Sequence, residues 1–200
     1  MRKPLTGAFC NGKCGFCRSF WLNFPYNLSM ANTQTLYKLS LRPKTENDTP
    51  WLRQHLINEW GGEPILAYKQ AYYPTQLPGF VAVLEGAQGS QTVGEITYVI
   101  EKPYCEIITL SSLREGVGIG TALFSYVEAV ARAEGCRKLR LVSPTDDLRA
   151  IGFYQKRGMR IVAVQPDALE AVRKLKPHIP RTGRNGISLQ DELLFEKLLT

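Results

Sequence analysis

The sequence predicts an α/β domain whose central sheet begins antiparallel and later gains a parallel crossover, and two observations carry that prediction. Three strand-like runs at residues 79–84, 92–100 and 104–110 follow one another with short connections, as in an antiparallel meander. After them the period changes: Ile119, Leu123, Tyr126, Val127 and Val130 recur at helical spacing before the alternating run at 138–142, giving the order strand, helix, strand. A chain of 200 residues with 44% hydrophobic residues is long enough to enclose one sizeable core.

The remaining elements follow the same logic. Residues 36–42 alternate as a strand. Thr49-Pro50 then opens a helix with proline in its first turn and Leu52, Leu56, Ile57 and Trp60 on one face, and Gly61-Gly62 ends it. Residues 61–77 carry no legible motif. A second helix-sized run extends from about Asp147 to Arg157 with Gly158 as its stop, followed by a strand at 160–164 and a short helix at 167–175. Residues 177–186 read as loop, and 187–199 fits either a strand or a helix. Residues 1–34 show neither period, so they are expected to be a basic, disordered extension ahead of a folded domain at 35–200.

The net charge of +7 narrows the choice of partners once it is located along the chain. Seven bases precede the first acid, Glu46, and beyond them 18 Lys+Arg face 18 Asp+Glu. The folded domain therefore has no net attraction for a polyanion, and no nucleic-acid partner is expected. No apolar run approaches the ~18 residues of a membrane span, so no membrane partner is expected either. Cysteines at 10, 14, 17, 105 and 136 form an odd set without the dense pairing of secreted domains, and residues 20–24 are too short for a signal core. A cytoplasmic location is expected.

Chemistry concentrates between residues 113 and 121, Leu-Arg-Glu-Gly-Val-Gly-Ile-Gly-Thr, where Gly116, Gly118 and Gly120 alternate at a helix start. Such spacing strips side chains from one side of the turn and lets main-chain N–H groups converge on an anion at the positive helix end, which suits a diphosphate. Gly120 is followed by Thr121 without lysine, so a nucleoside triphosphate loop is disfavoured. A dinucleotide fingerprint needs G-x-G-x-x-G on the first strand of a parallel unit, and neither condition is met.

This loop resembles the cofactor loop of the GCN5-related N-acetyltransferases, Arg/Gln-x-x-Gly-x-Gly/Ala, with Gly118 and Gly120 in the two glycine positions and Glu115 where Arg or Gln is usual. The segment from Asp147 to Met159, which holds Phe153-Tyr154 and Gly158, is similar to that family's Asn-x-x-Ala-x-x-Phe-Tyr-x-x-x-Gly-Phe. Two motifs in the right order on a strand-helix-strand-helix-strand frame are more specific than either alone. The resemblance spans about residues 36–164. It implies the GNAT fold, a mixed and mainly antiparallel sheet flanked by helices. It also implies acetyl-coenzyme A as cosubstrate without metal, held by Leu110, Ser112, Glu115, Gly116, Val117, Gly118, Gly120 and Thr121. The implied reaction is direct acetyl transfer to an amine of a small molecule or peptide. An acyl-coenzyme A sensor without turnover is the competing reading, and monomer and homodimer both stay open.

Direct transfer asks for a base to take a proton from the ammonium and an acid to protonate the thiolate. The resemblance places the Tyr154 phenol beside the cofactor sulfur as acid; packing of helix on sheet is its alternative role. Glu106, on the strand feeding the glycine loop, is the candidate base, against a structural hydrogen bond. Strict alternation sets Cys105, Ile107 and Thr109 on one face and Glu106, Ile108 and Leu110 on the other. His55 and His178 are isolated and expected to be solvated, Cys105 and Cys136 to be buried small residues, and Trp60 to be core. Tyr68, Tyr72 and Tyr73 lie where the family covers its acceptor, and such rings suit a cationic amine. Cys10, Cys14 and Cys17 have the spacing of the radical S-adenosylmethionine cluster motif, but the barrel that follows such a motif is missing, so no working cluster is expected.

Overall fold

The computed structural model describes residues 28–30, 37–86 and 89–199. In chain order the elements are β1 (Leu28–Met30), β2 (Tyr37–Pro43), α1 (Thr49–Trp60), β3 (Ile65–Ala67), β4 (Gln70–Tyr72), β5 (Gly79–Gly86), β6 (Gly89–Glu101) and β7 (Tyr104–Ser112). They continue as α2 (Ile119–Ala133), β8 (Lys138–Pro144), α3 (Leu148–Gln155), β9 (Arg160–Gln165), α4 (Ala168–Leu175) and β10 (Glu192–Leu198).

One eight-stranded sheet has the order β1-β2-β5-β6-β7-β8-β10-β9, and β3-β4 is a separate hairpin. Every pairing in the large sheet is antiparallel except β7-β8, whose crossover is α2. This is the expected mixed, mainly antiparallel sheet flanked by helices. The ambiguous C-terminal run is β10, inserted antiparallel between β8 and β9. Leu28–Met30 pair with β2, so the sheet starts inside the stretch expected to be an extension. Residues 1–27 and 31–36, with the Cys10-Cys14-Cys17 motif, lie outside the described residues.

The sheet has two differently filled faces. On one, Phe80, Ile96, Leu139, Leu141 and Phe195 form a buried cluster with Leu123, Phe124 and Val127 of α2 and Tyr154 of α3. Each such side chain contributes roughly 1.5–3 kcal/mol relative to exposure. Gly94 lets α2 come this close: a Cβ there would stand 2.8 Å from Ile119 Cγ2 and 2.9 Å from the Ser111 carbonyl oxygen. On the other face, reached by the alternate residues of β6, α1 contributes buried Leu52, His55 and Leu56.

Candidate functional site

At the end of β7 the chain turns through Gly116 and Gly118, both left-handed at φ 74° and 82°, into α2. Gly118 is the N-cap of α2 and supplies no side chain to the first-turn N–H groups, so those donors face the turn uncapped. A Cβ at Gly116 or Gly118 would meet nothing within 4 Å, which leaves an open cradle of main-chain donors for an anion. Gly120 stands instead against the Phe153 ring, 3.2 Å from where its Cβ would lie. Val117 packs on the core. Glu115 pairs with Arg149 of α3, both exposed. The acid in the expected Arg/Gln position thus has a cationic partner on α3.

Arg157 is a feature the sequence did not single out. Its guanidinium donates to Thr121 Oγ1 in the first turn of α2 and lies over the Phe153 ring. Among the described residues it pairs with no carboxylate, and its buried Nε has no partner. A cation without a counter-ion beside an amide cradle adds a second donor set for phosphate oxygens.

β7 and β8 pair only over Tyr104–Glu106 and Lys138–Arg140, then part. The main chain of Leu110 and Ser112 therefore lies beyond the last ladder rung to β8, along an opening that runs from Glu106 toward the glycine turn. Within β7, Thr109 faces Thr97 and Ile107 faces Tyr98, which leaves Ile108 as an extra residue, a β-bulge. The bulge corrects the expected alternation. Cys105 and Ile107 point to the core, but past Ile108 it is Leu110 that packs on the core while Thr109 joins Glu106 on the α1 face.

Glu106 is fully buried and bound by Arg140, whose Nε and Nη2 lie 3.0 and 2.9 Å from the same oxygen, Oε2. The guanidinium is sandwiched by the Tyr68 and Tyr104 rings at 4.3 and 4.4 Å from their centroids. Burial pushes the Glu106 pKa up to about 7, against the opposing pull of Arg140 and a smaller one from the neighbouring Tyr72 phenol. Tyr68 arrives through a feature absent from the sequence reading: residues 65–72 form the β3-β4 hairpin, turned by Tyr68 and Lys69 at φ 48° and 64°. Two non-glycine residues held left-handed mark a turn fixed by its surroundings, here the stack on Arg140 and a 3.4 Å bond from the Tyr68 hydroxyl to the Leu141 carbonyl.

Tyr154 sits in the core cluster with its ring 5.4 Å from Phe153 and 5.6 Å from Phe195. Burial raises its pKa, with further raising by the charges of Asp147 and Glu95, so its phenol stays protonated at neutral pH. The Asp147 carboxylate caps α3 by accepting from the Ala150 N–H at 2.9 Å, which fixes the turn from which Tyr154 projects.

His55 corrects another expectation. It is buried, 2.5 Å from Ser111 Oγ, stacked on Trp51 at 5.0 Å, with Trp60 edge-on. His178, by contrast, is exposed, and Trp60 is only part-buried. Ser111 stands opposite Glu95 in the β6-β7 ladder. Glu95 was also missed; it is fully buried, accepts from Thr109 at 2.8 Å, and has its pKa pushed to about 7 by burial against the lowering by Thr109, Ser111 and Lys44. A strand position before an isoleucine, in a run read as apolar alternation, gave no signal for either role. Cys105 and Cys136 are buried free thiols as expected. Among the described residues no group of three or more His, Cys, Asp or Glu could hold a metal, and no helix is long and apolar enough to cross a membrane.

Comparison with known proteins adds independent findings. The family model described as "Acetyltransferase (GNAT) family" matches residues 33–159. The chain is 40% identical over 157 residues to Uncharacterized protein YdhI of Bacillus subtilis (strain 168), spanning 78% of this chain and 96% of that protein. It is 38% identical over 140 residues to Uncharacterized protein YxbD of the same strain, 70% and 86% of the two chains. The fold is similar to an IAA acetyltransferase from Bacillus cereus ATCC 14579, with TM-score 0.61 and 20% identity over 80% of this chain and 99% of that one. It is also similar to a GNAT family acetyltransferase from Elizabethkingia anophelis with acetyl-CoA bound, with TM-score 0.58 and 18% identity over 80% and 98%.

Proposed function

Because the chain belongs to the GNAT family of acetyltransferases, we propose that it moves an acetyl group from acetyl-coenzyme A to a primary amine of a small molecule or peptide, in the cytoplasm. The observation that carries this reading is Glu106: buried where β7 and β8 part, anchored by Arg140 through Oε2 and neighboured by the Tyr72 phenol. A sensor needs no such base.

The cradle fits the cosubstrate. The main chain at Gly116 and Gly118 and the N–H groups opening α2 hold its diphosphate, helped by Arg157, while Leu110 and Ser112 flank its arm with their main chain. When bound, acetyl-coenzyme A supplies an acyl thioester open to attack by an amine. Glu106 takes a proton from the acceptor's ammonium, Arg140 keeps the carboxylate oriented, and the Tyr154 phenol returns a proton to the leaving sulfur. The acceptor side is acidic and aromatic. Tyr68 and Tyr72 feel the charges of Glu101, Glu106, Glu192 and Glu196 against the single opposing charge of Arg140, and the excess of carboxylates favours a cationic amine.

Tyr154→Phe tests the acid. The ring and its packing stay, so acetyl-coenzyme A affinity should hold while kcat falls by ~10²-fold. An unchanged kcat would leave Tyr154 with packing alone and assign the proton to water.

A further inference from the structure

Of the four carboxylates whose charges reach the hairpin tyrosines, three already hold a cation. Glu101 and Glu106 share Arg140, at 3.6 and 2.9 Å, and Glu196 holds Lys138 at 2.7 Å. Glu192, the first residue of β10, is different. It is 8% exposed, and among the described residues no hydrogen bond or ion pair engages its carboxylate. The cations of the neighbouring strand β8, Lys138 and Arg140, are committed elsewhere. A carboxylate kept this deep without a partner is complete only when a cation reaches it from outside the chain.

The strand register puts Glu192 on the face that holds the proposed base. Glu106 pairs with Arg140 across β7-β8, and across β8-β10 Arg140 pairs with Glu196 and Pro144 with Glu192 in one unbroken ladder. Residues opposite one another share a face, as do alternate residues of one strand. Glu106, Arg140, Glu196, Val142, Leu194 and Glu192 therefore stand on one side of the sheet, while Leu139, Leu141 and Phe195 of the same strands enter the core on the other. The rung of Arg140 and the rung of Glu192 are four residues apart, about 13 Å along the strands. Between them lie Val142 and Leu194, opposite each other and only part-buried, so the floor joining the two carboxylates is apolar and partly open. Tyr68 stands over the Arg140 end and feels the charges of Glu106, Glu196 and Glu192 together.

An acidic end, an apolar floor and a second acidic end are the complement of a chain with a cation at each end. An acceptor whose reacting ammonium sits beside Glu106 lays its apolar spacer over Val142 and Leu194. Its far ammonium then meets the one carboxylate of the four that has no partner. A monoamine of the same length brings a methyl group to Glu192 instead, which removes water from the carboxylate and gives nothing in return.

We propose that Glu192 is a specificity-determining residue that takes the second ammonium of a long-chain diamine or polyamine while the first is acetylated beside Glu106. The proposal rests on the acetyl-transfer reading and names its acceptor class. The far ammonium is unchanged by the reaction, so no bond is made or broken at Glu192. A contact away from the reacting nitrogen belongs mainly in KM rather than kcat.

Octamethylenediamine, tetramethylenediamine and octylamine, compared as acceptors, test it. In the parent, kcat/KM should be about 10-fold to 10²-fold higher for the long diamine than for octylamine, the size of one charge-assisted contact. The short diamine, unable to span the two rungs, should lack that advantage. Glu192→Gln should remove the preference through KM, whereas Glu196→Gln, which deletes a carboxylate that Lys138 already holds, should keep most of it. The pH dependence has a definite sign. Glu106 must be ionised for either acceptor, so its titration cancels in the ratio of long diamine to octylamine. Burial pushes the Glu192 pKa up to about 7, and Tyr68, the titratable side chain that feels it, stays protonated there. The ratio should therefore rise with pH through about 7 in the parent and be flat in Glu192→Gln. The stability due to Glu192 is present below 4.5 and lost as pH rises through about 7, so Glu192→Gln should fold at least as well as the parent above 7. Independently of turnover, octamethylenediamine added with coenzyme A should raise the melting temperature of the parent more than that of Glu192→Gln. Equal kcat/KM for the long diamine and octylamine in the parent, or a preference that survives Glu192→Gln, would overturn the assignment while leaving acetyl transfer standing. A parent that transfers no acetyl group to any amine overturns both.

Discussion

Gly118→Glu is expected to abolish the rise in melting temperature that acetyl-coenzyme A gives the parent protein. At a hundredfold excess over Kd the parent should gain ~2.7 kcal/mol, which for a domain of this size is about 5–11 °C. Gly118 is left-handed at φ 82° and its missing Cβ faces open space, so glutamate both strains the turn and places an anion in the proposed diphosphate site. The strain lowers the variant's own melting temperature, and the cofactor shift is therefore read against the unliganded variant. Gly118→Ala separates the two effects: it shares the strain, lacks the charge, and should keep part of the shift. A full shift in Gly118→Glu would remove the loop from the binding site.

The second large effect belongs to Glu106. Glu106→Gln preserves the shape and still offers an oxygen to Arg140, but it cannot take a proton, so kcat/KM should fall ~10²- to 10⁴-fold. The pH profile adds a sign. As the proposed base, Glu106 works only when ionised, and burial pushes its pKa up to about 7, so parent kcat/KM should climb with pH through about 7 and level off above it. The variant should lose that limb along with the rate. A variant with parent-like kcat/KM would reduce Glu106 to an anchor for Arg140.

Much of this architecture is written in local pattern. Periods of two and of 3.6, punctuated by Gly61-Gly62, Gly135 and Gly158, report which face of each element is apolar. They therefore place β5 to β7, α2, β8, α3 and β9 to within a few residues. The glycine turn is equally legible, because main-chain donors need missing side chains. What alternation cannot report is where it breaks. Ile108 is an ordinary strand residue in sequence, and only its two-against-one pairing with β6 moves Leu110 into the core and Thr109 toward Glu95. The β3-β4 hairpin was hidden for a related reason: Tyr68 and Lys69 occupy turn positions usually given to glycine or asparagine. The partners of Glu106 and His55 lie 34 and 56 residues away, Arg140 and Ser111, and no short-range spacing encodes contacts of that separation.

Free-thiol release, followed as the protein meets acetyl-coenzyme A and a panel of primary amines, tests the central claim most directly. The account predicts amine-dependent release matched by acetylated amine, strongest with cationic acceptors and lost in Glu106→Gln. Tight acetyl-coenzyme A binding with no amine-dependent thiol release from any member of the panel would contradict it and leave a protein that holds the cofactor without using it.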